Sequence, residues 1–240
     1  MDELSNQELR EIITFLEAGS DFTISLVGKI VKNITKMVNL GTVLPKFLSI
    51  ATKKEKIIAK LAAAVYQHRG EVPGAQYLGG TAEMGAWKTC YGVIVSVRGT
   101  ENIDDVVTDA GLALGKIKAT KRWDRTLKDF GDLVSEFGKP SYITGHSLGG
   151  TLALNLSEKF KIPAIVFNPG STVIGSRIPS LAGSLVASFF MSPGSEGSII
   201  FRTPADVVSF SSVGNRNVKT VIGSSPTDDS LKAHSMSQFL

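Results

Sequence analysis

Apolar positions recur along this chain at two different periods. In residues 22–39, Val27, Ile30, Val31, Ile34, Met37 and Val38 follow the i, i+3, i+4 spacing of a helix, with Lys29, Lys32, Asn33 and Lys36 on the opposite side. A shorter helix is predicted over 4–18 from Leu4, Leu9, Ile12, Ile13 and Leu16, and a third over 53–68, KKEKIIAKLAAAVYQH, from its many good helix formers. A change of pattern follows. YGVIVSV (91–97) is a nearly unbroken apolar run, as in a strand covered on both faces. Residues 121–137 return to helical spacing through Trp123, Leu127, Phe130, Val134 and Phe137, and Gly138 and Pro140 end that element. SYIT (141–144) reads as a strand, TLALNLSEKF (151–160) as a helix, and PAIVFN (163–168), SIIFR (198–202) and NVKTVI (217–222) as further strands. Such alternation predicts an α/β fold with a mainly parallel central sheet flanked by helices, whose sites lie at the C-terminal ends of strands. We read two parts: residues 1–52 as an N-terminal helical extension and residues 53–240 as the main domain. The helix at 22–39 reads first as a surface helix packed on the core, with a lid or a membrane-contacting segment as the alternative.

Composition narrows the function classes. At 240 residues a single domain buries roughly three-quarters of its unfolded surface and needs no disulfides, and Cys90 has no partner cysteine in the chain. Cys90 is expected to be a small buried side chain in a strand, beside aromatic and apolar residues, and not a nucleophile. The net charge of +4 is modest, and no stretch interleaves aromatics with Lys or Arg, so nucleic acid is not an expected partner. Weak attraction to an anionic surface is the most that it supports. The longest apolar-rich region, 22–51, is interrupted by Lys29, Lys32, Lys36 and Lys46, so no membrane span is expected. The first residues lack the basic-then-apolar order of a secretory signal, which points to a cytoplasmic or intracellular protein, at most peripheral on membranes.

Candidate chemistry centres on GHSLGG (145–150), a G-x-S-x-G motif with Ser147 in the middle, placed between an apolar strand and an apolar-periodic helix. A serine on so tight a strand-to-helix turn needs small neighbours two positions away, and the following helix aims its N-terminus, and the Leu148 amide, at a developing oxyanion. Such a serine needs a base, and the chain has three histidines. His146 adjoins Ser147 and cannot reach its hydroxyl; it is expected to point inward and hydrogen-bond there. His68 ends a helix. His234, after the last strand, fits the order serine, acid, histidine. Between Ser147 and His234 the acid candidates are Glu158, Glu196, Asp206, Asp228 and Asp229. Asp206, just beyond the SIIFR strand, is the first choice, with Asp228 and Asp229 as the alternatives.

VSVRGTENIDDVVTD (95–109), GHSLGG, FNPGSTVIG (167–175), RTPADVVSF (202–210) and KAHSMSQF (232–239) together resemble the successive landmarks of the class 3 lipases, the fungal-lipase-like α/β-hydrolases, over about residues 55–240. The resemblance implies an α/β-hydrolase fold and a serine carboxylester hydrolase acting on lipid acyl esters, with Ser147, Asp206 and His234 as catalytic triad. It also implies that Thr100 of the RGT motif shares the oxyanion hole with the Leu148 amide, while Asp105 and Asp109 brace the adjoining loop and Arg98 pairs with one of them. No metal or organic cofactor is implied, since the histidines lack ligand spacing. The expected partner is a lipid or other acyl-ester substrate, with contact to a lipid interface as an option and the oligomeric state open. SLAGSLVASFFM (180–191) reads as a core helix or as an acyl-pocket or lid segment. Rival readings are a non-catalytic lipid-binding module of the same fold and a serine thioesterase or peptidase.

Overall fold

The computed structural model describes residues 44–67, 71–100, 121–170, 194–204, 206, 218–225, 227 and 230–240. The helices expected at 4–18 and 22–39, the segment 180–191, His68, Asp105, Asp109, Asp228 and Asp229 lie outside these residues. The described helices are α1 (Phe47–Ile50), α2 (Lys53–Ala64), α3 (Lys121–Phe137), α4 (Leu148–Phe160) and α5 (Ser230–His234). The strands are β1 (Ala75–Gly80), β2 (Met84–Thr89), β3 (Gly92–Val97), β4 (Tyr142–Ser147), β5 (Ala164–Pro169), β6 (Ile199–Arg202) and β7 (Val218–Thr220). They form one seven-stranded sheet in the order β1-β2-β3-β4-β5-β6-β7. β1, β2 and β3 pair antiparallel, and from β3 to β7 every pair is parallel. The architecture is therefore α/β with a mixed sheet, mostly parallel as expected.

The two antiparallel strands β1 and β2 escape the periodicity reading, because AQYLGG and MGAWKT carry glycines and few β-branched residues. Their recovery also moves Cys90. The apolar run does not begin at Tyr91: Cys90 and Tyr91 form the two-residue turn between β2 and β3, closed by the Tyr91 N–H donating to Thr89 Oγ1 (3.0 Å) and by Thr89 Oγ1 donating to the Gly92 carbonyl (2.9 Å). Cys90 is exposed there, which corrects the expectation of burial.

Strand alternation sorts the core into two layers. On one face Met84, Ala86, Val95, Val97, Ile143, Ala164, Val166 and Ile200 meet Trp123, Phe130 and Leu133 of α3 and Leu152 and Leu156 of α4. Crossovers between parallel strands are almost always right-handed, so when strands are added in one direction both crossover helices fall on one face. The opposite face must be covered from elsewhere. There Ile94, Ile165, Phe167, Phe201 and Val221 pack against α2 and against Phe47, Met236 and Phe239. Phe47 stands edge-on to Phe167, Phe201 and Phe239, at centroid separations of 5.9, 4.9 and 5.4 Å. Its segment also joins the backbone ladder: the Phe47 N–H donates to the Ile222 carbonyl (3.0 Å) and the Ile222 N–H to the Pro45 carbonyl (2.9 Å).

α2 starts on a capping box, in which Thr52 Oγ1 accepts from the Glu55 N–H (3.2 Å) and Glu55 Oε2 accepts from the Thr52 N–H (2.7 Å). Lys219 of β7 adds an ion pair to Glu55 at 3.1 Å and so ties α2 to the far strand. Among the described residues no helix is long and apolar enough to cross a membrane.

Candidate functional site

β4 runs straight into Ser147, and α4 begins at the next residue. At that junction Ser147 takes φ 55° and ψ −130°, a backbone conformation that costs a residue with a side chain on the order of 1–3 kcal/mol. The glycines of the motif make the turn feasible. A Cβ on Gly145 would lie 2.4 Å from the Gly149 carbonyl oxygen, and one on Gly149 would lie 2.2 Å from the Val97 carbonyl oxygen. The strand, the helix and the end of β3 thus approach one another at distances that only glycine allows. Ser147 is buried, and its Oγ has no hydrogen-bond partner among the described residues.

Asp206 and His234 are brought together. His234 Nδ1 lies 3.0 Å from Asp206 Oδ1, and both side chains are 0% exposed. Asp206 follows β6, four residues beyond Arg202, and His234 ends α5. The geometry makes Nδ1 the donor to the carboxylate, which leaves Nε2 as the basic nitrogen. His234 Nε2, like Ser147 Oγ, is buried without a hydrogen-bond partner among the described residues. A buried polar atom left without a partner is costly to the fold, and here a hydroxyl and an imidazole nitrogen are both left with their hydrogen-bonding capacity unused. An imidazole so oriented can take a proton from a hydroxyl and return it to a leaving group.

Two of the other acid candidates fall among the described residues. Glu158 and Glu196 are exposed. Leu148 is the first residue of α4, so its amide is one of the helix's unpaired N–H groups, and the half-buried Thr100 follows Gly99, whose N atom lies against Gly149. Arg98 Nη1 donates to the Ala82 carbonyl (3.3 Å), while its carbonyl accepts from Arg122 Nη2 (2.8 Å); Arg122 in turn pairs with Glu83 at 2.7 Å.

His146 points inward, as its position predicts. Tyr142, Thr144 and His146 alternate toward the face covered by α2, and there His146 Nδ1 lies 3.4 Å from the Tyr66 hydroxyl and Nε2 lies 2.5 Å from the His234 carbonyl oxygen. Burial first, and then the neighbouring His234, push the His146 pKa down to about 3. Arg202 is also buried. Burial lowers its pKa to about 10 and the charge of Asp206 works against that, so the two side chains lie within electrostatic reach.

Sequence reasoning gave no role to Asn168. It ends the strand PAIVFN with φ 39°, fully buried. Its Oδ1 accepts from the Thr203 N–H (2.9 Å), and its Nδ2 donates to the carbonyls of Ala233 (2.8 Å) and His234 (3.2 Å). Thr203 Oγ1 donates to the same Ala233 carbonyl at 2.6 Å. One amide therefore holds the segment leading to Asp206 and the helix end bearing His234 in a single position. The available signal was a lone asparagine closing an otherwise apolar strand. Among the described residues no group of three or more His, Cys, Asp or Glu could hold a metal ion.

Comparison with known proteins adds one family. The model of the phospholipase-like family, described as a Tle-like phospholipase domain, matches residues 50–171. No curated protein matches the chain. The matched span contains Thr100, Ser147, Leu148 and Asn168 and stops before Asp206 and His234, and it supports a lipase or phospholipase family more broadly than the class 3 lipases that the motifs resemble. On half of its length, from α2 to the end of β5, this chain belongs to the phospholipase-like family as a Tle-like phospholipase domain, and the general chemistry of that family is lipid hydrolysis.

Proposed function

We propose that the chain is a serine carboxylester hydrolase of α/β-hydrolase fold that cleaves an acyl ester of a phospholipid or related lipid. The observation that carries this reading is the buried pair of His234 and Asp206 at 3.0 Å, with His234 Nε2 and Ser147 Oγ both lacking a partner among the described residues. His234, oriented by Asp206, takes the proton of Ser147 as Oγ attacks the ester carbonyl. The Leu148 amide and Thr100 receive the oxyanion, and collapse of the tetrahedral intermediate expels the alcohol, protonated by His234, and leaves an acyl-enzyme. Water, deprotonated by His234, then releases the fatty acid. The class 3 likeness of the motifs and the phospholipase-like family both favour a lipid ester. In this reading the catalytic unit comprises residues 53–240 together with the Phe47 segment that packs on its sheet, and any membrane contact is peripheral.

The test is hydrolysis of phospholipid vesicles, triacylglycerol emulsion and p-nitrophenyl esters of graded acyl length by wild type and Ser147→Ala. Wild type is expected to release fatty acid from phospholipid, and Ser147→Ala to lose roughly 10³-fold or more in kcat. Release from triacylglycerol alone would reassign the substrate. Wild type inactive on all three, or Ser147→Ala fully active, would overturn the mechanism.

A further inference from the structure

His146 takes no part in the proton transfers just described, yet both its ring nitrogens are engaged. Its Nε2 lies 2.5 Å from the main-chain carbonyl oxygen of His234. A carbonyl only accepts, so Nε2 carries the proton. The ring is buried and neutral, which leaves Nδ1 bare to accept from the Tyr66 hydroxyl at 3.4 Å. The Tyr66 oxygen in turn accepts from the Gly99 N–H at 3.1 Å. Burial pushes the Tyr66 pKa up to about 12, so this hydroxyl keeps the proton that it donates. Every donor in the series has one assigned acceptor: Gly99 N–H to Tyr66, Tyr66 O–H to His146, His146 N–H to His234. The series begins one residue before Thr100 and ends on the main chain of His234. The rings of His146 and His234 also lie 4.8 Å apart, so the base packs on the side chain that grips its backbone.

We propose that Tyr66 and His146 are positioning residues that tie the loop of Thr100 to the segment of His234, so that the oxyanion site and the base are held as one unit around Ser147. This inference rests on the triad reading above. It assigns the elbow histidine a function that a buried apolar residue could not replace, because the turn must deliver an N–H to the segment carrying the base.

The experiment compares full-length wild type, Ser147→Ala, Tyr66→Phe, His146→Gln, His146→Leu and the double variant Tyr66→Phe/His146→Leu on one hydrolysed ester. Glutamine keeps an amide N–H near the position of Nε2, whereas leucine keeps only bulk. Tyr66→Phe and His146→Leu are expected to lower kcat about 10-fold or more with KM within about twofold, and His146→Gln to stay within about threefold of wild type. The double variant should be no slower than His146→Leu, since both changes break one series. Leucine equal to or better than glutamine, or additive losses, would reduce the pair to packing and overturn the proposal. Nitrogen-15 spectra of wild type provide a readout that no variant's folding can spoil: His146 is expected with a protonated Nε2 and a bare Nδ1, and the opposite tautomer overturns the proposal. If Ser147→Ala is dead while Tyr66→Phe and His146→Leu run at the wild-type rate, this inference alone fails. If Ser147→Ala retains activity, the triad reading fails first.

Discussion

His146 keeps a neutral ring in the folded protein because burial and the adjacent His234 hold its pKa near 3, against an ordinary value of 6.5. Between those two values the unfolded chain binds a proton that the native protein does not. Stability is therefore full above about pH 6.5 and falls as pH drops toward 3, by roughly 1.4 kcal/mol per pH unit at most. Urea unfolding of wild type and His146→Gln from pH 4 to 8 should give curves that diverge below about pH 6.5, the variant losing less. Parallel curves would show that the ring is not held neutral. At this scale much of the proposed site can be traced to signals in the sequence. Ser147 is marked by its glycines, His234 and Asp206 by residue type and by their order after the elbow. Asn168 and Tyr66 were not legible, because their partners are main-chain groups that only the folded chain brings near. Nothing in VFNPG says that its asparagine will bond to residues 203, 233 and 234.

The elements follow the same division. α3, with its regular apolar spacing, was readable to within a residue, and Gly138, at φ 82°, follows Phe137 as the terminating glycine should, whereas α2 stops at Ala64, short of the expected 68, and α4 starts at Leu148, three residues before the expected 151. β1 and β2 were not, since their glycines break the alternation, and the Cys90 turn was absorbed into the neighbouring apolar run. Glycine itself has two meanings in this chain. Gly149 faces backbone of β3 that cannot yield, so Gly149→Ala is expected to destabilise the protein by about 1–3 kcal/mol or more and to disturb the Ser147 turn. Gly131 lies within α3 with nothing within 4 Å of an added Cβ, so Gly131→Ala is expected to stabilise by about 0.5–1 kcal/mol. Thermal melts of the two variants should move in opposite directions, and a shared direction would mean that the close packing at the elbow is not what excludes a side chain there.

For the molecule as a whole, the second face of the sheet depends on segments outside the strand-to-strand crossovers: α2, the Phe47 segment and Met236–Phe239. Phe47 is 1% exposed within a cluster of three other phenylalanines. Phe47→Ala is expected to cost about 3–5 kcal/mol, and a chain starting at residue 53 to melt far below one starting at residue 45. Equal melting of the two shortened chains would place the boundary of the folding unit at residue 53.

The spatial order of the strands repeats their order along the chain, from β1 to β7. A ribosome adding ~5–20 residues per second can therefore hand over the sheet strand by strand from one edge. Ser147 emerges with the fourth strand, whereas His234 follows the seventh. On the proposed mechanism the nascent polypeptide would hold Ser147 for several seconds before His234 exists, and would become competent only once α5 docks on Asn168 and His146.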